Sequence, residues 1–297
     1  MTELPRYIEV ETSRYCNRSC QWCPNGVTDA RAVQELMVWS LLSKIVGELK
    51  ELKYSGWLAL HNYNEPLANP RLNLELAYLH DQLPHARPSI FTNGDLLDHA
   101  RLASLVQAGV AYLRVMIYPS RRVLTWDAAA AAVTVSRWLH ARHLEAIGEW
   151  SYGNVRQGFA ATCKLGSLTI EVIRPDVSRY NWRGGQVSDL AGSLRTSPCY
   201  MTQNSASIDY RGNLKMCCNV YTDSPSHQEY IIGNLNEGSF RAFWNSDRMT
   251  ILRRLHESGD WRLSSICRHC TQQLPTTGTW PISTKSTKDS SDVDGSR

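Results

Sequence analysis

Three cysteines fall within one short run, Cys16-Asn17-Arg18-Ser19-Cys20-Gln21-Trp22-Cys23. The run has C-x3-C-x2-C spacing and follows directly on the strand-like stretch Tyr7 to Glu11. Three thiolates on so short a loop can bind three irons of a [4Fe–4S] cube and leave the fourth iron open to a ligand that is not protein. Zinc usually wants four ligands, commonly from two C-x2-C pairs. A disulfide framework belongs to small secreted chains. A second set, Cys199, Cys217, Cys267 and Cys270, lies in the last third and ends in a C-x2-C pair. Four thiolates could saturate one cube or one zinc ion, and spacing does not separate the two. Cys163 and Cys218 are left over. Cys163 reads as a small buried hydrophobe.

The chain of 297 residues is long enough for one large domain, or a large and a small one. Its net charge of +4 is mild and no basic block stands out, so no nucleic-acid partner is expected. No apolar stretch reaches the length of a membrane span. Residues 1–6 lack the basic-then-apolar pattern of a secretory signal. Nine cysteines without such a signal point to the cytoplasm and to metal ligation.

Strand-like and helix-like runs alternate through the first two thirds. Strands are expected at 7–11, 57–61, 89–92, 112–118 and 168–173. Helices are expected at 36–52, 72–83, 98–108 and 126–143. Such βα alternation predicts a parallel sheet or barrel. Beyond 195 the pattern changes to a β-hairpin (206–210 and 214–217, with a Gly-Asn turn) and a helix over 240–256. The expected domains are 1–195 and 196–280. The Ser/Thr/Lys/Asp-rich tail 281–297 is expected to be disordered.

The first cysteine run, with Trp22 before its last cysteine, resembles the signature of radical S-adenosylmethionine (SAM) enzymes. The resemblance implies an α/β fold, a partial (β/α)6 barrel followed by a small α+β domain. Cys16, Cys20 and Cys23 would hold the SAM-binding [4Fe–4S] cluster. Tyr63-Asn64-Glu65-Pro66 stands where the family carries a Gly-Gly-Glu-Pro-like motif. Thr92-Asn93-Gly94 ends the third strand, where members contact SAM. Tyr63, Asn64, Glu65, Thr92 and Asn93 are therefore the expected SAM contacts. Asn64 replaces a glycine and tolerates left-handed backbone. The second cysteine set looks like the twitch domain, a short form of the SPASM auxiliary-cluster domain. Cys199, Cys217, Cys267 and Cys270 would hold a second [4Fe–4S] cluster.

Further likeness, in Ile8-Glu9-Val10-Glu11, Ala86-Arg87-Pro88 and Arg183-Gly184-Gly185, is to the family's aminocyclitol dehydrogenases, whose related enzymes include aminoglycoside epimerases. Both reactions begin with hydrogen abstraction from a carbon of an amino sugar. An epimerase must then return a hydrogen atom, and a thiol is a suitable donor. Cys218, beside the expected ligand Cys217, is the candidate. The expectation is an aminoglycoside epimerase with Cys218 as donor, the alternative a dehydrogenase passing an electron to the second cluster. A polycationic substrate calls for carboxylates, of which Glu9, Glu11, Asp95, Glu171 and Asp176 are candidates and Glu9 the choice. Arg183 sits where the resemblance implies substrate contact. The resemblance also implies an external one-electron reductant of flavodoxin or ferredoxin type.

Overall fold

The computed structural model describes residues 3–28, 34–120, 125–155 and 158–272. The expected tail 281–297 lies outside the described residues. In chain order the main elements begin with β1 (Tyr7–Val10), α1 (Trp39–Glu51), β2 (Trp57–Ala59), α2 (Leu72–Gln82), β3 (Arg87–Thr92) and α3 (His99–Gln107). Next come β4 (Tyr112–Met116), α4 (Ala128–His140), β5 (Ser151–Val155), β6 (Gly158–Leu165) and β7 (Leu168–Pro175). The last third supplies α5 (Met201–Asn204), β8 (Ser205–Ile208), β9 (Asn213–Lys215), β10 (Ile231–Asn234), α6 (Phe240–Trp244) and α7 (Asp247–Glu257).

One ten-stranded sheet runs in the order β10-β9-β8-β1-β2-β3-β4-β7-β6-β5. Its middle six strands, β8-β1-β2-β3-β4-β7, are parallel. The outer pairs are antiparallel hairpins. This mixed α/β sheet carries the expected parallel core. The β5–β6 hairpin is an addition the sequence reading did not contain. Its polar, Gly-broken residues 151–158 have little period-2 apolar signal, because β5 is largely exposed. The helix expected over 240–256 is two helices. Ser239 caps Ala242 N–H at 3.1 Å, and Ser246 restarts the chain by accepting from Met249 N–H at 3.3 Å.

Helix α1 buries Leu41, Leu42, Ile45, Val46 and Leu49, one face of a 3.6-residue period, against the sheet core. The Asp98 and Asp127 side chains cap α3 and α4 by accepting backbone N–H bonds of 2.8–3.1 Å. Gly109, at φ +74°, closes the turn after α3. Strand β8 comes from the region expected to form a separate domain, and it lies directly against β1. Tyr7 pairs with Ser205 and Glu9 with Ser207. Ser207 in turn faces Lys215 of β9. Lys215, Ser207 and Glu9 therefore form one row across three strands. Cys163 is 3% exposed in β6 and packs in the core.

Candidate active site

The first cysteine loop leaves the C-terminal end of β1, where parallel α/β sheets form their sites. The Cys23 N–H donates to Cys20 O at 3.0 Å and Gly26 N–H to Cys23 O at 2.8 Å. A Cβ on Gly26 would lie 2.3 Å from the Cys20 carbonyl oxygen, so the loop closes only around glycine. Burial pushes the Cys16 and Cys20 thiols up to about 12, and their charges and that of Cys23 add to it. A compensating cation is what such thiols need to ionise. Three mutually close thiols and no other metal-ligand side chain on the loop fit three irons of a cube. Trp22 is buried against Val177, Val187 and Leu190. The loop is tied to the end of β3: Asn93 Nδ2 donates to Asn17 Oδ1 at 2.7 Å, and Arg18 Nε to Asp95 Oδ2 at 2.6 Å.

The expected SAM-contact residues meet beside this loop. Glu65 Oε1 accepts from Thr92 Oγ1 at 2.6 Å and Leu67 N–H at 3.0 Å. Its Oε2 accepts from Asn93 N–H at 2.7 Å. Burial nevertheless raises its carboxyl to about 7. Asn64 is not among the described residues with positive φ. Its side chain serves hydrogen bonding instead, accepting from Asn62 N–H at 3.0 Å and donating to Ser13 Oγ at 3.2 Å. The Tyr63 carbonyl accepts from Asn25 Nδ2 at 2.6 Å, whereas its hydroxyl is buried without a partner.

Cys199, Cys217, Cys267 and Cys270 also converge. Burial raises the Cys217 thiol most, followed by the charges of Cys267, Cys270 and, more weakly, Cys199. The Cys267 thiol is pushed up to about 12, first by burial. Among the described residues no three His, Cys, Asp or Glu side chains surround a single-ion point. Four zinc ligands would share one centre at about 2.3 Å. Four converging thiols also suit a cluster in which each iron takes one cysteine.

Between the two cysteine sets lies a polar cluster. Asn62 Nδ2 donates to Glu9 Oε2 at 3.0 Å and to Cys218 O at 3.3 Å. Its Oδ1 accepts from Lys215 Nζ at 2.6 Å. Lys215 is 1% exposed. Burial raises Glu9 and Glu11 to about 7, with Lys215 the main opposing influence on each. Arg183 sits in left-handed backbone, φ +54°, with Nη1 donating to Asn219 Oδ1 at 3.1 Å and Nε buried without a partner. Burial lowers its pKa, but the fields of Tyr63, Cys23 and Cys218 more than offset that. Arg183 therefore lies within electrostatic reach of Cys23 in the first loop and of Cys218, the neighbour of Cys217. The Tyr63 hydroxyl and Arg183 Nε are two buried polar atoms beside this cluster that no described residue satisfies.

Of the other expected carboxylates, Glu171 pairs with Arg114 at 2.7 Å and Asp95 with Arg18. Asp176 caps Ser178 N–H at 3.1 Å, and Glu11 accepts from Tyr63 N–H at 3.0 Å. They are structural partners, which leaves Glu9 facing the cluster. Sequence reasoning missed Asn62, Lys215, Asn181 and Asn219. The only signal was strand alternation, which places Lys215 in register with Ser207 and Glu9.

Residues 199–271 match the SPASM family, an iron-sulfur cluster-binding domain. With the parallel sheet and the C-x3-C-x2-C loop, this defines a radical SAM protein with a twitch-type auxiliary domain, a class that uses SAM and two iron–sulfur clusters. The chain is 26% identical over 271 residues to the S-adenosyl-L-methionine-dependent 2-deoxy-scyllo-inosamine dehydrogenase of Niallia circulans, covering 91% of this chain and 94% of that protein. It shares the fold of BtrN crystallised with AdoMet and 2-DOIA, with a TM-score of 0.67, 23% identity, and coverage of 92% of this chain and 95% of that one. An open conformation of BtrN gives a TM-score of 0.61, 24% identity, and coverage of 92% and 94%.

These relatives overturn the expected epimerase and isomerase assignment, because the characterised relative is a dehydrogenase. The expectation rested on the spare thiol of Cys218. That thiol packs against the main core, and burial, followed by the charges of Glu9 and Cys217, raises its pKa well above the ordinary value. A spare cysteine at that position has a packing explanation and does not specify hydrogen return.

Proposed function

We propose that this chain is a radical SAM dehydrogenase that oxidises a secondary alcohol of an aminocyclitol or related amino sugar to a ketone. The carrying observation is its similarity, along nine tenths of its length, to an aminocyclitol dehydrogenase. Cys16, Cys20 and Cys23 would hold the SAM-binding cluster, with Tyr63, Asn64, Glu65, Thr92 and Asn93 around the SAM. Cys199, Cys217, Cys267 and Cys270 would hold the auxiliary cluster. The bound cofactors supply hydrogen-atom abstraction from the carbinol carbon and acceptance of the one remaining electron.

The residues between the clusters would bind and orient the substrate. Arg183 and the Tyr63 hydroxyl offer unsatisfied donors to its hydroxyl groups. Glu9, raised by burial to about 7, is suited to take the hydroxyl proton, because an acceptor works best with a pKa near the operating pH. Burial of the cluster excludes water from this space. A one-electron reductant protein would feed the first cluster. The described residues include no helix long and apolar enough to cross a membrane.

The test is an anaerobic assay of cluster-loaded protein with SAM, reductant and a panel of aminocyclitols, read by mass spectrometry. The expected product is two mass units lighter, formed in step with 5′-deoxyadenosine. An isomer of unchanged mass, or no product from any amino sugar, would overturn the reading.

A further inference from the structure

Two buried asparagines join Arg183 of the polar cluster to the second cysteine set. Asn181 is 5% exposed and Asn219 is 4% exposed. Asn181 Nδ2 donates to Cys270 Sγ at 3.2 Å, and its Oδ1 accepts from the Arg183 backbone N–H at 2.9 Å. Asn219 Nδ2 points to the same sulfur at 3.8 Å, and its Oδ1 accepts from Arg183 Nη1 at 3.1 Å. The orientation of each amide is chemically forced. Arg183 presents only donors to both, so each amide must turn its oxygen to Arg183 and its N–H2 to the sulfur. The Asn219 backbone also bonds to the Cys217 thiol. One residue thus touches two of the four expected ligands and the pocket arginine.

We propose that Asn181 and Asn219 are positioning residues that raise the reduction potential of the auxiliary centre through the Cys270 sulfur while fixing Arg183 in the pocket. This rests on the dehydrogenase reading, in which that centre must accept an electron. A sulfur ligand carries more negative charge when its cluster is reduced. Amide N–H donors aimed at it therefore stabilise the reduced form more than the oxidised one. Asn181 also holds the Arg183 backbone, at φ +54°, a conformation a non-glycine residue keeps only when its surroundings enforce it, and Asn219 holds its guanidinium. The geometry that accepts the electron and the geometry that binds the substrate are then set by the same pair of side chains.

Asn→Asp separates the two duties, because a carboxylate still accepts from Arg183 but offers the sulfur no N–H. The measurement is the auxiliary-cluster midpoint, by EPR-monitored redox titration of the full chain. Cys16, Cys20 and Cys23 are replaced by Ala so that only that cluster is present. Asn181→Asp and Asn219→Asp are each expected to disfavour reduction by about tenfold, a shift of about 59 mV to more negative potential for one electron. Asn181→Ser, which keeps a short donor, is expected to recover part of the shift. An unchanged midpoint in both Asp variants, or loss of the cluster from both, overturns the proposal. If the parent Cys→Ala chain holds no iron–sulfur cluster at all, the functional reading fails instead. An active dehydrogenase with unshifted variants sinks this inference alone.

Discussion

Arg183→Gly separates a functional arginine from a structural one. Arg183 is a non-glycine residue in left-handed backbone, a conformation that costs about 1 kcal/mol and that glycine adopts freely. The substitution also removes the bond from Nη1 to Asn219, worth about 1 kcal/mol, and a buried Nε that has no partner. These terms oppose each other and leave a net change within about 1 kcal/mol. For a chain of this size that is a melting shift of about 2 °C. A buried arginine that held the fold through an ion pair would instead cost about 3–5 kcal/mol on removal. Activity should behave differently. Losing a preorganised cationic donor at the reacting group costs about 10²–10³ in rate. The assays are a thermal melt of the purified protein and product formation under single-turnover conditions, with iron content measured on the same samples. A rate unchanged within about threefold, or a melting point lowered by about 8 °C or more, would refute the reasoning.

Three further outcomes follow from the same geometry. Product formation should rise with pH through about 7 as Glu9 ionises, and Glu9→Gln should remove that rise along with most of the rate, checked by a pH profile of initial rates. Glu11 is raised by burial from 4.5 to about 7, so its contribution to stability is intact below pH 4.5 and is lost as pH climbs through 7. The loss amounts to about 3 kcal/mol. Melts at pH 5.5 and 8.5 should show the decline, and Glu11→Gln should make it shallower by that amount, leaving the part owed to Glu9 and Glu65. Gly26→Ala puts a Cβ 2.3 Å from the Cys20 carbonyl oxygen, so iron content should fall by about half with the SPASM-region cluster retained. Full iron loading in that variant would show that the loop is not set by Gly26.

Much of the fold was legible because its signals are local. The apolar period of α1, the Asp caps of α3 and α4 and the glycine after α3 all act within a few residues. The cysteine spacing was legible for the same reason. What escaped was tertiary. Lys215 carries no signal in the sequence until β8 and β9 are laid against β1, which puts it in a row with Ser207 and Glu9. Asp95 and Glu171 read as pocket carboxylates until Arg18 and Arg114 are found beside them. Cys218 was misread because a thiol's chemistry was inferred from its sequence neighbour, and packing was not visible. Asn181 and Asn219 carry no motif and gain meaning only when Cys270 and Arg183 arrive from other parts of the chain.

The pairing of β8 with β1 explains how two cysteine sets nearly two hundred residues apart can serve one reaction. The first loop leaves the end of β1, and Cys217 follows β9 two strands away in the same sheet. Neighbouring strands are about 4.8 Å apart. The spacing between the loops is therefore set by sheet hydrogen bonds and not by a flexible linker. Asn62 locks the junction, since its amide spans Glu9 of β1, Lys215 of β9 and the Cys218 carbonyl. On the proposed reading, a substrate held by Arg183 and Tyr63 would lie between the two loops at a separation set by the sheet. An enzyme that must take a hydrogen atom at one centre and deliver an electron to another gains most from that rigidity, because a misplacement of about 1 Å can cost about 10² in rate.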